Sequence, residues 1–297
     1  MRLETKYKLK APNFGAFFYN MNTPLKIAIQ GGPASFHDVV TQQYFVGQQI
    51  AIVPCMTFPR VFNSVNSGEA NYGVIAIENS LAGSILGNYS LLHDHPVSII
   101  GEAYLPIHQN LLALPGQQLA DIRVVRSHPM ALLQCTGFLE AHPHMQALEA
   151  ADTAESAREI REHNLSGIAA IASQAAAERY DLEVIAPCIE DFKDNYTRFL
   201  VISPETNQKE ARGNKASVNF RLHHRAGELT KILDVFRDMQ MNLSLIQSIP
   251  ILSKRTEFTI LLDLEFTDET AFHAAIAQVE PMTVEIKILG IYKRGVK

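Results

Sequence analysis

Basic residues never cluster in this chain of 297 residues and net charge −5, where no Lys/Arg run is longer than a pair such as Lys254-Arg255. A nucleic-acid surface needs a basic patch or stripe, so that class of partner is not expected. No apolar stretch reaches the roughly 18 residues that span a bilayer, so no membrane partner is expected either. The three cysteines, Cys55, Cys135 and Cys188, are far apart and odd in number, which fits neither a disulfide framework nor a metal site. A reducing cytoplasm is the natural location for them. Cys135 and Cys188 read as buried small hydrophobes rather than nucleophiles. Arg2, Lys6, Lys8 and Lys10 precede a segment broken by Pro12 and Gly15, a poor signal-peptide core. Residues 1–24 read as a loosely held extension, with Met21 as an alternative start. There is no internal repeat and no low-complexity tract.

What is present is α/β alternation. With 47% hydrophobic and 19% charged residues, the chain can bury a large core in two or three units. Lys26 to Gln30 reads as a buried strand, followed by Gly31-Gly32-Pro33 and a helix from about Phe36. Strand-like runs follow at Ile50 to Pro54, Tyr72 to Ile77, Val97 to Tyr104, Asn110 to Ala113 and Arg123 to Val125. Others lie at Gly167 to Ala172, Glu183 to Ala186 and Phe199 to Ser203. Helical patterns separate them at Phe58 to Ser67, Pro129 to Ala141, Thr153 to His163 and Ser173 to Tyr180. The order predicts sheets with helices on both faces and binding residues at the carboxyl ends of strands.

Pro204 to Lys215 is polar, contains Gly213 and has no apolar period, so it reads as a linker. Beyond it Val218, Phe220 and Leu222 alternate, and Leu229, Ile232, Leu233, Phe236 and Met239 recur at helical spacing. Strands at Asn242 to Ile251 and Thr256 to Phe266, a helix around Thr270 to Val279 and a strand near Val284 to Tyr292 complete βαββαβ. That order is ferredoxin-like.

Three strand ends carry polar clusters. Gly31 to Asp38 lacks dinucleotide-binding spacing, but Ser35 can cap a helix with Asp38 as its partner, and the helix start favours an anion. Glu78-Asn79-Ser80 follows a buried strand and can present a carboxylate, an amide and a hydroxyl. Ser127 can cap a helix begun by Pro129, and His128 is an acid–base candidate, although a lone loop histidine is more often structural. Finally, Asp191-Phe-Lys-Asp-Asn-Tyr-Thr-Arg-Phe199 puts Asn195, Thr197 and Arg198 at the entrance to an apolar run, suited to holding a small carboxylate.

These segments, in this order from Ile27 to Ile202, resemble the prephenate dehydratase family. The family's Gly-x-Ala-Asp-Tyr-Gly-Val-x-Pro-Ile-Glu-Asn-Ser/Thr-x-x-Gly is similar to Gly68 through Gly83, with Ala76 for proline. Its Ser-His-Pro…Gln-Cys is similar to Ser127 through Cys135, and its Asn-x-Thr-Arg-Phe to Asn195 through Phe199. The opening Gly-Pro-x-Gly-Thr/Ser-Phe/Tyr-Ser is matched less well: Gly32 replaces proline, Ala34 glycine and His37 serine. The C-terminal unit resembles an ACT regulatory domain. The resemblance implies an α/β, two-lobed, periplasmic-binding-protein-like catalytic domain over residues 25–203 and a ferredoxin-like ACT domain over 215–297. Lobe one would comprise about 25–105 and 187–203, lobe two about 106–186, and the linker 204–214.

The implied reaction converts prephenate to phenylpyruvate, carbon dioxide and water with no metal or organic cofactor. Thr197 is the candidate donor to the leaving hydroxyl, through a preorganised hydrogen bond rather than as a strong acid. Arg198 could fork a carboxylate, but strand geometry would turn it away from Thr197. Ser35, Glu78, Asn79, Ser80, Ser127, His128 and Asn195 are expected to line the pocket. Arogenate as substrate, or a non-catalytic metabolite sensor, are the alternatives. A homodimer or dimer of dimers with a phenylalanine effector is implied, using Gly227, Leu229, Asn242 and Ser248. The family's Gly-Ala-Leu and Glu-Ser-Arg-Pro motifs are altered at Glu228, Gln247 and Ile249, so a weakened phenylalanine response is expected.

Overall fold

The computed structural model describes residues 23–205, 213–222, 225–250 and 258–296. Most of the expected N-terminal extension, most of the linker and the pair His223-His224 lie outside the described residues.

The chain opens with β1 (Leu25–Gln30), whose Ile27, Ala28 and Ile29 are fully buried, as a central parallel strand requires. There follow α1 (Phe36–Tyr44), β2 (Ile50–Cys55), α2 (Phe58–Asn66) and β3 (Tyr72–Asn79). Next come β4 (Gly83–Ser84), α3 (Leu86–Asp94) and β5 (Val97–Pro106). The chain then builds a second sheet with β6 (Asn110–Ala113), β7 (Val124–Ser127), α4 (Pro129–Leu133), α5 (Thr136–Ala141) and β8 (Gln146–Glu149). It continues through α6 (Thr153–Glu162), β9 (Ile168–Ala172), α7 (Gln174–Arg179) and β10 (Glu183–Ala186). It returns as β11 (Tyr196–Pro204), antiparallel between β3 and β5. The first sheet runs β2-β1-β3-β11-β5, with β4 beside β3, and the second runs β10-β6-β9-β7-β8.

Local structure departs from the sequence expectation in three places. Pro129 to Ala141 is not one helix: Cys135 takes φ −118° between α4 and α5, and Thr136 Oγ1 donates to the Leu133 carbonyl at 2.8 Å. Helix α3 was not foreseen because its buried residues, Asn88, Tyr89 and Leu92, make no apolar stripe. Strand β8 is exposed at every position on the sheet edge, so it has no apolar alternation.

The third sheet comprises β12 (Lys215–Arg221), α8 (Glu228–Asp238), β13 (Asn242–Pro250), β14 (Phe258–Glu265), α9 (Glu269–Val279) and β15 (Glu285–Tyr292). Its order, β13-β14-β12-β15, is that of a ferredoxin-like βαββαβ unit. Ala216, Val218, Phe220, Ile260, Leu262 and Leu264 face α8 and α9. The opposite face carries Lys215, Ser217, Asn219 and Asp263, yet these are buried too, because it lies against the first lobe. There Ile249, Leu261, Leu289 and Tyr292 share one core with Ile99, Leu200 and Ile202. Gly290 marks the crossing of β15 over β5: a Cβ at this position would stand 2.0 Å from the Ile99 carbonyl oxygen.

Candidate functional site

Strands β3 and β11 are paired antiparallel, and their register shifts between Arg198 and Phe199, leaving Ile77 with no opposite residue. This single extra residue sets Asn79 opposite Thr197 and Glu78 opposite Arg198. Asn79 Nδ2 donates to Asn195 Oδ1 at 2.7 Å, to Thr197 Oγ1 at 3.0 Å and to the Tyr196 carbonyl at 3.1 Å. Asn79 Oδ1 accepts from the backbone N–H groups of Leu81 and Ala82 at 3.0 and 2.9 Å. Ser80 Oγ accepts from Tyr196 N at 2.9 Å and donates to the Asp194 carbonyl at 3.3 Å. Asn79, Ser80, Asn195 and Thr197 therefore form one cluster.

Two consequences bear on chemistry. The Thr197 oxygen already accepts from Asn79, so its own proton is available to a further acceptor. Asn195 is fully buried, and its Nδ2 has no hydrogen-bond partner among the described residues. A buried donor left open is what an oxygen of a ligand would complete. Asn195 also sits where the two segments that cross between the lobes meet. Its carbonyl accepts from Ile107 N at 2.8 Å, and Ile189 N donates to the Gln109 carbonyl at 2.7 Å. Gln109 N donates to Glu190 Oε2 at 2.9 Å.

The lobes touch at the loop after β1. Ser173 Oγ donates to the Ala34 carbonyl at 2.8 Å and Tyr180 OH to the Pro33 carbonyl at 3.0 Å. Ser35 Oγ accepts from Asp38 N at 3.3 Å, and Asp38 Oδ2 accepts from Ala34 N at 2.7 Å, which fixes the start of α1. Ala34 has φ +66°, the left-handed region that favours glycine, and this is the position where the family pattern has glycine. Gly31, at φ +87°, faces Asp152 of the second lobe: a Cβ here would stand 2.9 Å from Asp152 Oδ2.

Asp152 was not singled out from the sequence. Its only signal there is its place as N-cap of α6, accepting from Glu155 N at 2.9 Å. Burial raises its pKa, and the backbone N–H groups of Glu155 and Ala154 offset part of that.

Several expected site residues lie elsewhere. Ser127 is fully buried and its Oγ donates to the Ile171 carbonyl at 2.6 Å, so its hydroxyl serves the second sheet rather than a pocket. His128 is half-buried, and its Nδ1 caps α4 by accepting from Met130 N at 3.2 Å. It is close enough to Asp152 for their charges to interact. Arg198 is not free to fork a substrate carboxylate, because its Nε donates to Glu102 Oε2 at 2.7 Å and its Nη2 pairs with Asp263. Glu78, opposite Arg198, interacts electrostatically with Tyr89 and Tyr104 on that side. Cys188 is exposed, not buried, whereas burial pushes the Cys135 thiol up to about 12.

His37 packs edge-on to Phe199 at 5.0 Å, its Nε2 accepts from Ala76 N at 3.3 Å, and burial lowers its pKa to about 4. A cavity of about 420 Å³ lined by Asn66, Pro96, Pro204 and Glu205 lies at the far end of β11 from Thr197 and is not part of the site.

In the third sheet, Gly227 is the N-cap of α8 at φ +86°, and Leu229 packs into the core beneath the helices. Asn242 Nδ2 donates to Glu265 Oε2 at 3.3 Å, and Ser248 is exposed on edge strand β13. Ile249, where the family motif has arginine, is buried against the first lobe. No described helix is long and apolar enough to cross a membrane.

A family model described as prephenate dehydratase matches residues 27–207. The bifunctional chorismate mutase/prephenate dehydratase of Aquifex aeolicus is 32% identical over 93% of this chain and 75% of its own. Arogenate dehydratase 5 of Arabidopsis thaliana is 35% identical over 90% of this chain and 67% of its own. Among solved structures, the quorum-quenching acylase GqqA superposes with a TM-score of 0.80 at 29% identity, covering 90% of this chain and 97% of that one. The prephenate dehydratase of Arthrobacter aurescens in complex with L-Phe does so with a TM-score of 0.80 at 28% identity, covering 91% and 90%. The extent of these matches, together with the order of the strand-end motifs, places the chain in the prephenate dehydratase family.

Proposed function

We propose that this chain is a lyase that converts prephenate to phenylpyruvate, carbon dioxide and water without a cofactor. The observation that carries the reading is the Thr197 hydroxyl, whose oxygen is fixed by Asn79 and whose proton is left to donate. The ring carboxylate leaves as carbon dioxide, its bonding pair enters the ring, and the ring hydroxyl departs with its own bonding pair as hydroxide, which a proton from solvent converts to water. Thr197 donates to that hydroxyl as negative charge develops on it, and the donor needs no reorganisation because Asn79 already holds it. Asn195 Nδ2 is assigned to a substrate oxygen, which would complete a buried donor. The start of α1 at Ser35 is assigned to a carboxylate.

The test is to mix purified protein with prephenate and follow phenylpyruvate absorbance; no product refutes the reading. Parallel arms with arogenate and with an N-acylated amine address the activities in the relatives' names.

For regulation, residues 215–297 are assigned as an ACT-type unit that pairs side by side in a cytoplasmic homodimer or dimer of dimers. Gly227, Leu229, Asn242 and Ser248 are assigned to a phenylalanine site whose response is weakened by Glu228, Gln247 and Ile249. Calorimetry with phenylalanine and light scattering check this: tight, strongly inhibitory binding or a monomer overturns it.

A further inference from the structure

Arg198 directly follows Thr197 in β11, yet its side chain ends in the third sheet. Its Nε donates to Glu102 Oε2 at 2.7 Å, and Nη2 lies 2.5 Å from Asp263 Oδ2, a charge contact without hydrogen-bond alignment. Lys215 Nζ donates to both Glu102 oxygens at 3.0 and 3.1 Å, and Gly295 N donates to Oε1 at 2.9 Å. Asp263 Oδ1 accepts from Ser217 Oγ at 2.5 Å, and Ser217 Oγ lies 2.7 Å from Tyr292 OH. All four charged side chains are at most 5% exposed, with two cations against two carboxylates.

Docking alone does not require these charges, since Ile99, Leu200, Ile202 and Leu261 already close the seam. A buried charged set contributes little net stability but strongly restrains position. Position is what this part of β11 needs. Its ladder with β5 runs unbroken from Tyr196 to Val201, but its ladder with β3 shifts register between Arg198 and Phe199, so an anchor at residue 198 adds to backbone pairing in holding residue 197 on the Asn79 side.

We propose that Arg198 is a positioning residue through which Asp263 of the C-terminal sheet sets the placement of the Thr197 hydroxyl. The proposal rests on reading Thr197 as the donor.

The test is Asp263→Asn in the full chain. Turnover should fall by about tenfold to a hundredfold while KM changes little, the scale of a small misplacement of a catalytic group. Added to Thr197→Val, the same change should cost nothing further. Amide exchange across residues 195–199 should accelerate. Leu261→Ala loosens the same seam without touching the charges, and should lower the melting temperature with turnover intact. If Asp263→Asn does not fold, Arg198→Lys, which keeps the charge and loses the fork, carries the same expectations. Unchanged turnover and exchange would overturn the proposal, as would an equal loss in the Thr197→Val background. If the unsubstituted chain shows no turnover of prephenate, the functional reading fails, and the exchange measurement still decides the positioning.

Discussion

The Asn79 amide nitrogen donates to the Thr197 hydroxyl oxygen at 3.0 Å, while the Asn79 carbonyl oxygen is held by two backbone N–H groups. The direction of that bond is therefore set by the fold: threonine accepts, and its proton remains to serve another oxygen.

Thr197→Val keeps the shape and removes the donor. Turnover should fall by about 10²–10³, or roughly 2.7–4 kcal/mol, with a small change in KM. Thr197→Ser should be the mildest substitution. Asn79→Asp should cost activity on the same scale in a folded protein, because a carboxylate would draw the threonine proton to itself. Steady-state phenylpyruvate formation with circular dichroism as a folding control decides both. An active Asn79→Asp variant would contradict the assigned bond direction.

His37 should make stability fall on acidification. Burial lowers its pKa to about 4, whereas the unfolded chain takes up that proton near the ordinary histidine value of 6.5. Below the higher value the unfolded state binds more protons, so the contribution is intact above it and lost progressively towards the lower one. The loss amounts to about 3 kcal/mol. Urea midpoints at about pH 7.5 and about pH 4.5 should separate more in the parent than in His37→Gln. Equal separations would refute it.

Two positions of one loop should respond unequally. Gly31→Ala combines a left-handed φ of +87° with a contact to Asp152 across the lobes, so both stability and kcat/KM should drop. Ala34→Gly should stay within about 1 kcal/mol, because relief of left-handed strain is offset by a lost buried methyl and a more flexible unfolded chain. Denaturant titrations of the two variants make the comparison.

Ile249→Arg restores the residue type of the family motif and should nonetheless destabilise the protein by about 3–5 kcal/mol, since it buries an unpaired charge in the seam. Thermal melts check this. A neutral outcome would mean that the seam opens at β13.

The regular elements were legible where apolar periodicity was strong: Tyr72–Asn79, Phe58–Asn66 and Asn110–Ala113 follow directly from residue pattern. So was the grouping of Asn79, Ser80, Asn195 and Thr197, because polar residues at the ends of buried strands had to meet something. The role of Arg198 was half legible. Strand geometry foretold that it would turn from Thr197, but its partner Asp263 lies 65 positions away on a strand that alternates like any surface sheet. Lys215 reads as the end of the linker, and Ser217 and Asn219 only alternate with Val218 and Phe220, so nothing in the pattern announces that packing against the first lobe buries all three. Asp152 was illegible, because nothing in a helix cap announces that a glycine from another lobe will press against it.

The seam also redraws the molecule's thermodynamic map. Chain order groups the first two lobes and appends the third sheet, but shared burial groups the first lobe with the third sheet through Leu200, Ile202, Leu261 and Tyr292. The second lobe keeps its own interior around Ile171, Val125 and Leu111, and another around Ala157, Ile160 and Leu112 that the first lobe enters at Ala34. Heating should then release the middle of the chain separately, while its two ends melt together as one calorimetric transition.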